Sequence, residues 1–176
     1  MLRGFQKEDF EAVHAYVSNP DNVKYMTWGP YNEAGTESFI NKCIERQRNI
    51  PRLFYDFVIV LKEAEKLIGS CGIYLSDDLQ QANMGWILHM KYWKQGYMPE
   101  AVRALLKFGF EELTLHRMCA YCNVGNYGTY KVMEKCGMRK EATFIKSKRG
   151  RPGVDDEWFD EFMYAILADE WHTNFS

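Results

Sequence analysis

The stretch "YWKQGYMPEAVRALLKFGF", Tyr92 to Phe110, fixes where a strand gives way to a helix. A glycine sits among polar residues, a proline follows three positions later, and an amphipathic pattern then begins. The chain must therefore leave a strand and enter a helix between Trp93 and Pro99. Gly96 supplies a position without a Cβ, where a ligand can approach the backbone closely. Pro99 suits the first helical position and biases Met98 toward extended backbone. Val102, Leu105, Leu106, Gly109, Phe110 and Leu113 then form one stripe, which predicts a helix packed on a sheet. A helix start leaves up to about four backbone donors unpaired and carries about half a positive charge. The amides of residues 94–98 therefore suit a phosphate, although Pro99 adds no N–H; the alternative is a plain strand-to-helix turn. Neither GxxxxGK[ST] nor GxGxxG occurs. Nucleoside-triphosphate hydrolysis and dinucleotide oxidoreduction lose support, and another pyrophosphate fits better.

Upstream, "MLRGF" reads as a short strand, followed by a helix from about Lys7 to Ser18 with Phe10, Val13, His14 and Val17 at helical spacing. "NPDNVKYMTWGP" breaks it, and a second helix is expected from Glu33 to Arg48, stopped by Asn49-Ile50-Pro51. "FYDFVIVLKEAEKLIGSCGIYL" predicts a hairpin, and "ANMGWILHM" another strand. Downstream come the strand "RMCAYC", a helix from about Asn126 to Lys135 ended by Gly137, and two strands joined by "KSKRGRPGVDDE", the last being "EWFDEFMYAIL". The expected order is β-α-α-β-β-β-α-β-α-β-β. Strand-helix-strand-helix in the middle implies a parallel pair, and the hairpins demand antiparallel neighbours, so the fold class is mixed α/β (α+β).

The 176 residues fit a single domain, residues 1–176, and no linker, repeat or compositional break divides them. Twenty-two basic and 24 acidic residues leave a formal charge of −2, which argues against a dedicated nucleic-acid binder. The first residues lack an apolar secretory core and no run approaches the roughly 20 residues of a membrane span, so no membrane partner and a cytoplasmic location are expected. Five cysteines form no disulfide framework. Cys119 and Cys122 make a CxxC, but an odd offset along a strand turns them to opposite faces, so no metal is expected there.

The run "GWILHMKYWKQGYMPEAVRALLKFGFEELTLHRMCAYCNVGNYGTYKVMEKCGM", Gly85 to Met138, resembles the acetyl-CoA-binding heart of the GNAT N-acetyltransferase superfamily. The branch it most resembles is that of the bacterial ribosomal-protein N-terminal acetyltransferases. The likeness extends to "LRGFQKEDFEAV" and "EWFDEFMYAIL", nearly the whole chain. It implies a twisted, mostly antiparallel mixed sheet of about seven strands, helices on both faces, and a fourth strand splayed from the fifth. By resemblance, Lys94, Gln95, Gly96, Tyr97 and Met98 form the pyrophosphate loop, and main-chain groups of Ile87, Leu88 and His89 bind pantetheine like an added strand. Asn126 and Thr129 match the family's motif at the next helix start. For Asn126, cofactor contact and plain N-capping both stand. The cofactor implied is acetyl-CoA as acetyl donor, without metal.

The chain also departs from that pattern. Met98 stands where many relatives have a small residue, Met133 where many have a tyrosine acid, and Asn83 where a glutamate base is common. The acid role passes by resemblance to Thr129, with Tyr130 as second candidate, while His89 is the candidate base or water-holder. The strand amide near Leu88 or His89 would face the developing oxyanion. Tyr25, Trp28 and Tyr31 in "KYMTWGPY" are the candidate acceptor-binding residues, against the alternative that they fill core. "DDEWFDE" suits a cationic amine and "KSKRGR" an acidic partner, or both are solvated hairpin residues. The expected activity is acetyl transfer to a primary amine, with a protein N-terminal α-amine in first place. Alternatives are a small amine such as a polyamine, amino sugar or antibiotic, and a catalytically silent CoA-binding module. A homodimer is left open.

Overall fold

The computed structural model describes residues 1–151 and 154–175. The elements run β1 (Leu2–Arg3), a 3-10 turn at Lys7–Asp9, α1 (Phe10–Val17), α2 (Glu33–Arg46), β2 (Phe54–Leu61), β3 (Lys66–Leu75) and β4 (Gln81–Leu88). After a 3-10 turn at Met90–Tyr92 come α3 (Tyr97–Lys107), β5 (Arg117–Asn123), α4 (Tyr127–Lys135), β6 (Arg139–Arg149), β7 (Trp158–Leu167) and α5 (Ala168–Phe175). The seven strands lie in the order β1-β2-β3-β4-β5-β7-β6, all antiparallel except the β4–β5 pair. The expected order of elements and the mixed sheet are both present.

Alternation along the strands builds two cores. Val58 and Val60 of β2, with Leu67 and Ile87, pack under Val13, Tyr16 and Val17 of α1 and Ile40 and Cys43 of α2. Ile59 points the other way, joining Ile73, Met84, Met118 and Ile166 beneath Val102, Leu105 and Leu106 of α3 and Met133 of α4. Helices thus cover both faces. On the first face, however, α1 and α2 lie over the β1–β4 half, and Tyr121 of β5 and Phe144 of β6 stay exposed.

Four local expectations are corrected. The first helix opens as a 3-10 turn because Asp9 accepts from the Gln6 N–H at 2.8 Å and ion-pairs with Arg3 at 2.6 Å. The second ends at Arg46, two residues early. Pro99 is the third helical residue rather than the first, since Gly96 is the N-cap and Tyr97 opens α3. The stripe after α3 continues as a π-helical turn, Phe108–Glu112, where a Cβ on Gly109 would collide with the Met118 sulfur. The helix α5 was not expected at all. It is anchored by Ala168 N–H to His116 O at 3.0 Å, by the Leu167 N–H to Glu170 at 2.8 Å, and by Trp171 against Phe110. Of the expected β6–β7 connection, Pro152 and Gly153 lie outside the described residues. No helix among the described residues is long and apolar enough to cross a membrane.

Candidate active site

Strands β4 and β5 run side by side only from Gln81–Arg117 to Met84–Ala120. Beyond that, β4 stays with β3 as far as the Gly69–Leu88 pair, and β5 stays with β7 as far as Asn123–Glu161. Each strand is held by its outer neighbour, so a wedge opens between them. The bond from His89 N–H to Ile68 O, 2.8 Å, sets the phase of the β4 ladder. In an antiparallel ladder alternate residues bond the same neighbour, so Gly85, Ile87 and His89 turn their main-chain groups to β3, while Trp86 and Leu88 turn theirs to the wedge. Of the three main-chain binders expected, only Leu88 faces the wedge; Trp86, not foreseen, joins it. The Leu88 carbonyl is already taken, by Asn22 Nδ2 at 3.2 Å and Trp93 Nε1 at 2.8 Å. The Trp86 C=O and Leu88 N–H are what an added strand-like ligand would meet.

The Trp93 indole ties the wedge to the turn that follows. Lys94 has φ +61° and Gly96 φ +89°, both left-handed. A Cβ on Gly96 would meet nothing within 4 Å, so the space over it is open. The first α3 bond is Glu100 N–H to Gly96 O at 3.3 Å. The amides of Tyr97 and Met98 therefore precede any intrahelical acceptor and stand at the positive end of α3. Lys94 and Gln95 are exposed, Gln95 bracing the loop through Nε2 to Lys91 O at 2.8 Å, while the Met98 side chain is buried in the core. Met98 thus occupies core volume rather than the loop mouth.

The end of α4 lies against the start of α3, because Arg103 of α3 donates to Lys135 O at 2.8 Å and the Cys136 thiol to Pro99 O at 3.5 Å, while the α4 start follows directly on β5 through Asn126 N–H to Asn123 O at 2.9 Å. Asn126 caps α4, its Oδ1 accepting from Thr129 N–H at 3.2 Å. Thr129 and Tyr130 are half-buried, and Tyr130 packs edge-on against Phe162 and Tyr127 at 5.7 and 5.2 Å. Met133, fully buried, offers no polar group. His89 caps the next turn by accepting the Lys91 N–H on Nδ1 at 3.2 Å, which puts its proton on Nε2. Burial, then the Lys91 and Lys66 charges, lower its pKa. The ring is a neutral Nε2–H donor whose lone pair is occupied, an arrangement suited to holding water rather than to removing a proton.

On the acceptor side the aromatic residues separate. Tyr25 is exposed and its ring borders Gly125, just before Asn126. Trp28 and Tyr31 stack on each other at 5.1 Å and pack with Phe39 into the α1–α2 core, where they fill volume beneath the loop. That loop is strapped to the β6–β7 connection by Arg151, which donates to Val23 O and Gly29 O at 3.4 Å each and pairs with Asp155 at 2.7 Å. Next to it lies the uncovered sheet face. Asn83 accepts from the Cys119 thiol at 2.9 Å, Tyr121 and Phe144 rings lie 6.3 Å apart, and Glu161 accepts from Ser147 at 3.2 Å. Cys122 points to the opposite, buried face, as the odd offset requires. Asn22, Trp86, Trp93 and Arg151 escaped sequence reasoning, since their roles rest on partners far along the chain or on ladder phase.

The family model described as "Acetyltransferase (GNAT) domain" matches residues 1–139. The uncharacterized N-acetyltransferase YnaD of Bacillus subtilis is 35% identical over 173 residues, 98% of this chain and 95% of that protein. A GNAT-family acetyltransferase from Bacillus anthracis superposes with TM-score 0.83 at 38% identity, covering 96% of this chain and 94% of that one. Spermidine N-acetyltransferase from Vibrio cholerae, solved with CoA and spermine, gives TM-score 0.82 at 20% identity over 98% and 97% of the two chains and so shares the fold. With its wedge, glycine turn and matched sequence, the chain belongs to the GNAT acetyltransferase family and is an N-acetyltransferase.

Proposed function

We propose that the chain, as one domain over residues 1–176, moves the acetyl group of acetyl-CoA to a primary amine, with a protein N-terminus as the first acceptor. The observation that carries this is the wedge, in which the Trp86 C=O and Leu88 N–H meet no partner strand beside the open Gly96 turn. An amide-bearing arm fits the first as an extra strand, and a diphosphate fits the α3 start. Lys94 adds an exposed positive charge at the rim, and the amides of Tyr97 and Met98 donate from the helix end.

The chemistry follows from what these groups can do. A free alkylamine has a pKa near ~10 and must lose a proton before its nitrogen attacks the thioester carbon. Water held at the His89 Nε2–H accepts that proton. The Leu88 N–H faces the oxygen on which negative charge grows, a task closed to His89 N–H by its bond to Ile68. As the C–S bond breaks, the departing sulfur takes a proton from the Thr129 hydroxyl, with Tyr130 as the other source. Positioning supplies much of the rate.

The acceptor reaches this point across the face left bare by α1 and α2, past Tyr25. The shelf of Tyr121 and Phe144 is open to solvent, which suits an extended peptide better than an enclosed small molecule. Glu161, whose carboxylate meets only the Ser147 hydroxyl among the side chains of the described residues, suits a polyamine instead. Thiol release from acetyl-CoA, measured with N-terminal peptides, polyamines and amino sugars, tests the proposal. Turnover with peptides supports it, turnover with polyamines alone moves the acceptor to small amines, and background rates throughout leave a CoA-binding module.

A further inference from the structure

Asn22 comes from the loop between α1 and α2, yet its amide lies against the end of β4. It is 6% exposed, and both ends are used: Nδ2 donates to Leu88 O at 3.2 Å and Oδ1 accepts from Met90 N–H at 2.7 Å. Those two main-chain groups are two residues apart on the wedge side of β4, where β5 would have bonded them had it not diverged. A side-chain amide carries one donor and one acceptor in the same sense as a peptide group. Asn22 therefore pairs with β4 as a single residue of a missing strand would, and Trp93 fills the second lone pair of the Leu88 carbonyl.

We propose that Asn22, with Trp93, is a positioning residue that ends the free edge of β4 at the Leu88 N–H and so sets the register in which the acyl-CoA arm lies in the wedge. The inference rests on the wedge being the arm's site. With Leu88 O and Met90 N–H occupied, the arm finds one acceptor for its amide, Trp86 C=O, and one donor for its thioester oxygen, Leu88 N–H, and no equivalent pair two residues further on. A slip by one such pair moves an arm by about 7 Å along the strand, which would carry the thioester away from Thr129. Asn22 also joins the acceptor loop, through Val23 and the Arg151 strap, to the donor groove.

The test compares wild type, Asn22→Ala and Trp93→Phe by calorimetric titration with CoA and with adenosine 3′-phosphate 5′-diphosphate, which lacks the arm, alongside acetyl-transfer kinetics. Trp93→Phe removes one of the two donors to Leu88 O and guards against loss of folding in the Asn22 variant. The expected result is a kcat lower by about 10- to 100-fold in Asn22→Ala and by less in Trp93→Phe, weaker CoA binding, and unchanged affinity for the armless nucleotide. Equal weakening for both ligands would make Asn22 merely structural and overturn the proposal. So would CoA affinity and kcat that match wild type in both variants. Wild type that binds the nucleotide but gains nothing from the arm would instead remove the wedge as the arm's site.

Discussion

Replacing Gly96 with alanine separates backbone strain from ligand contact, because the structure fixes each. At φ +89° an L-residue pays the left-handed penalty, about 1–2 kcal/mol. For a chain of this length that lowers Tm by about 2–8 °C. Collision within the protein adds nothing, since a Cβ there meets no atom within 4 Å. The same empty space is where a diphosphate would sit over the Tyr97 and Met98 amides. A methyl group that displaces one charge-assisted hydrogen bond costs about 1.5–3 kcal/mol, roughly 10- to 150-fold in Kd. Calorimetric titration of Gly96→Ala with CoA, together with a thermal melt in the absence of ligand, reads both quantities. A Tm loss within that range with CoA affinity unchanged would refute the phosphate turn while leaving the fold account intact.

Thr129→Ala should lower kcat at saturating acetyl-CoA by about 100-fold while Thr129→Ser keeps most of it; full turnover in the alanine variant removes Thr129 as proton donor. His89→Asn, which preserves the cap, should hold kcat/KM within about threefold across pH 6–9, whereas loss of an obligatory base would cost about 100-fold or more. Glu141 is held below its ordinary carboxylate range, first by hydrogen bonds from Arg117. Its contribution is therefore present above the unfolded value of 4.5 and lost as pH falls through the lower folded one. Glu141→Gln should lower Tm at pH 7 by about 4 °C at most, and melts at successively lower pH should show that difference shrinking below about pH 4.5.

The succession of elements was legible because each announces itself locally: Gly137 after the periodic residues of α4, Pro51 after α2, and the polar "KEAEK" between β2 and β3. The splayed pair came from resemblance rather than from pattern, and which β4 residues face the gap depends on one bond, His89 to Ile68, that no period of two can phase. Trp28 and Tyr31 look like binding residues in sequence because loops that carry aromatic rings and loops that bury them have the same composition; only the stack with Phe39 separates them. The last helix is hidden for a different reason. Its seal is Glu170 reaching back to the Leu167 N–H and across to Arg139, and a strand that ends in a helix without a glycine or proline leaves no punctuation.

The outermost strand, β6, shows water almost all of its 11 residues. An open edge is a template for pairing with another copy. Here the sequence guards it: Arg139 and Lys140 stand at one end and Lys146, Lys148 and Arg149 at the other, while the single acid, Glu141, is spent on Arg117 and Arg139. Two such edges aligned head to tail would set cation against cation at both extremities. The guard is electrostatic rather than steric, so it thins as ions accumulate and the screening length drops from about 10 Å at 0.1 M toward about 3 Å at 1 M. Pairing of two copies along this edge is therefore suppressed in dilute buffer and released by concentrated salt.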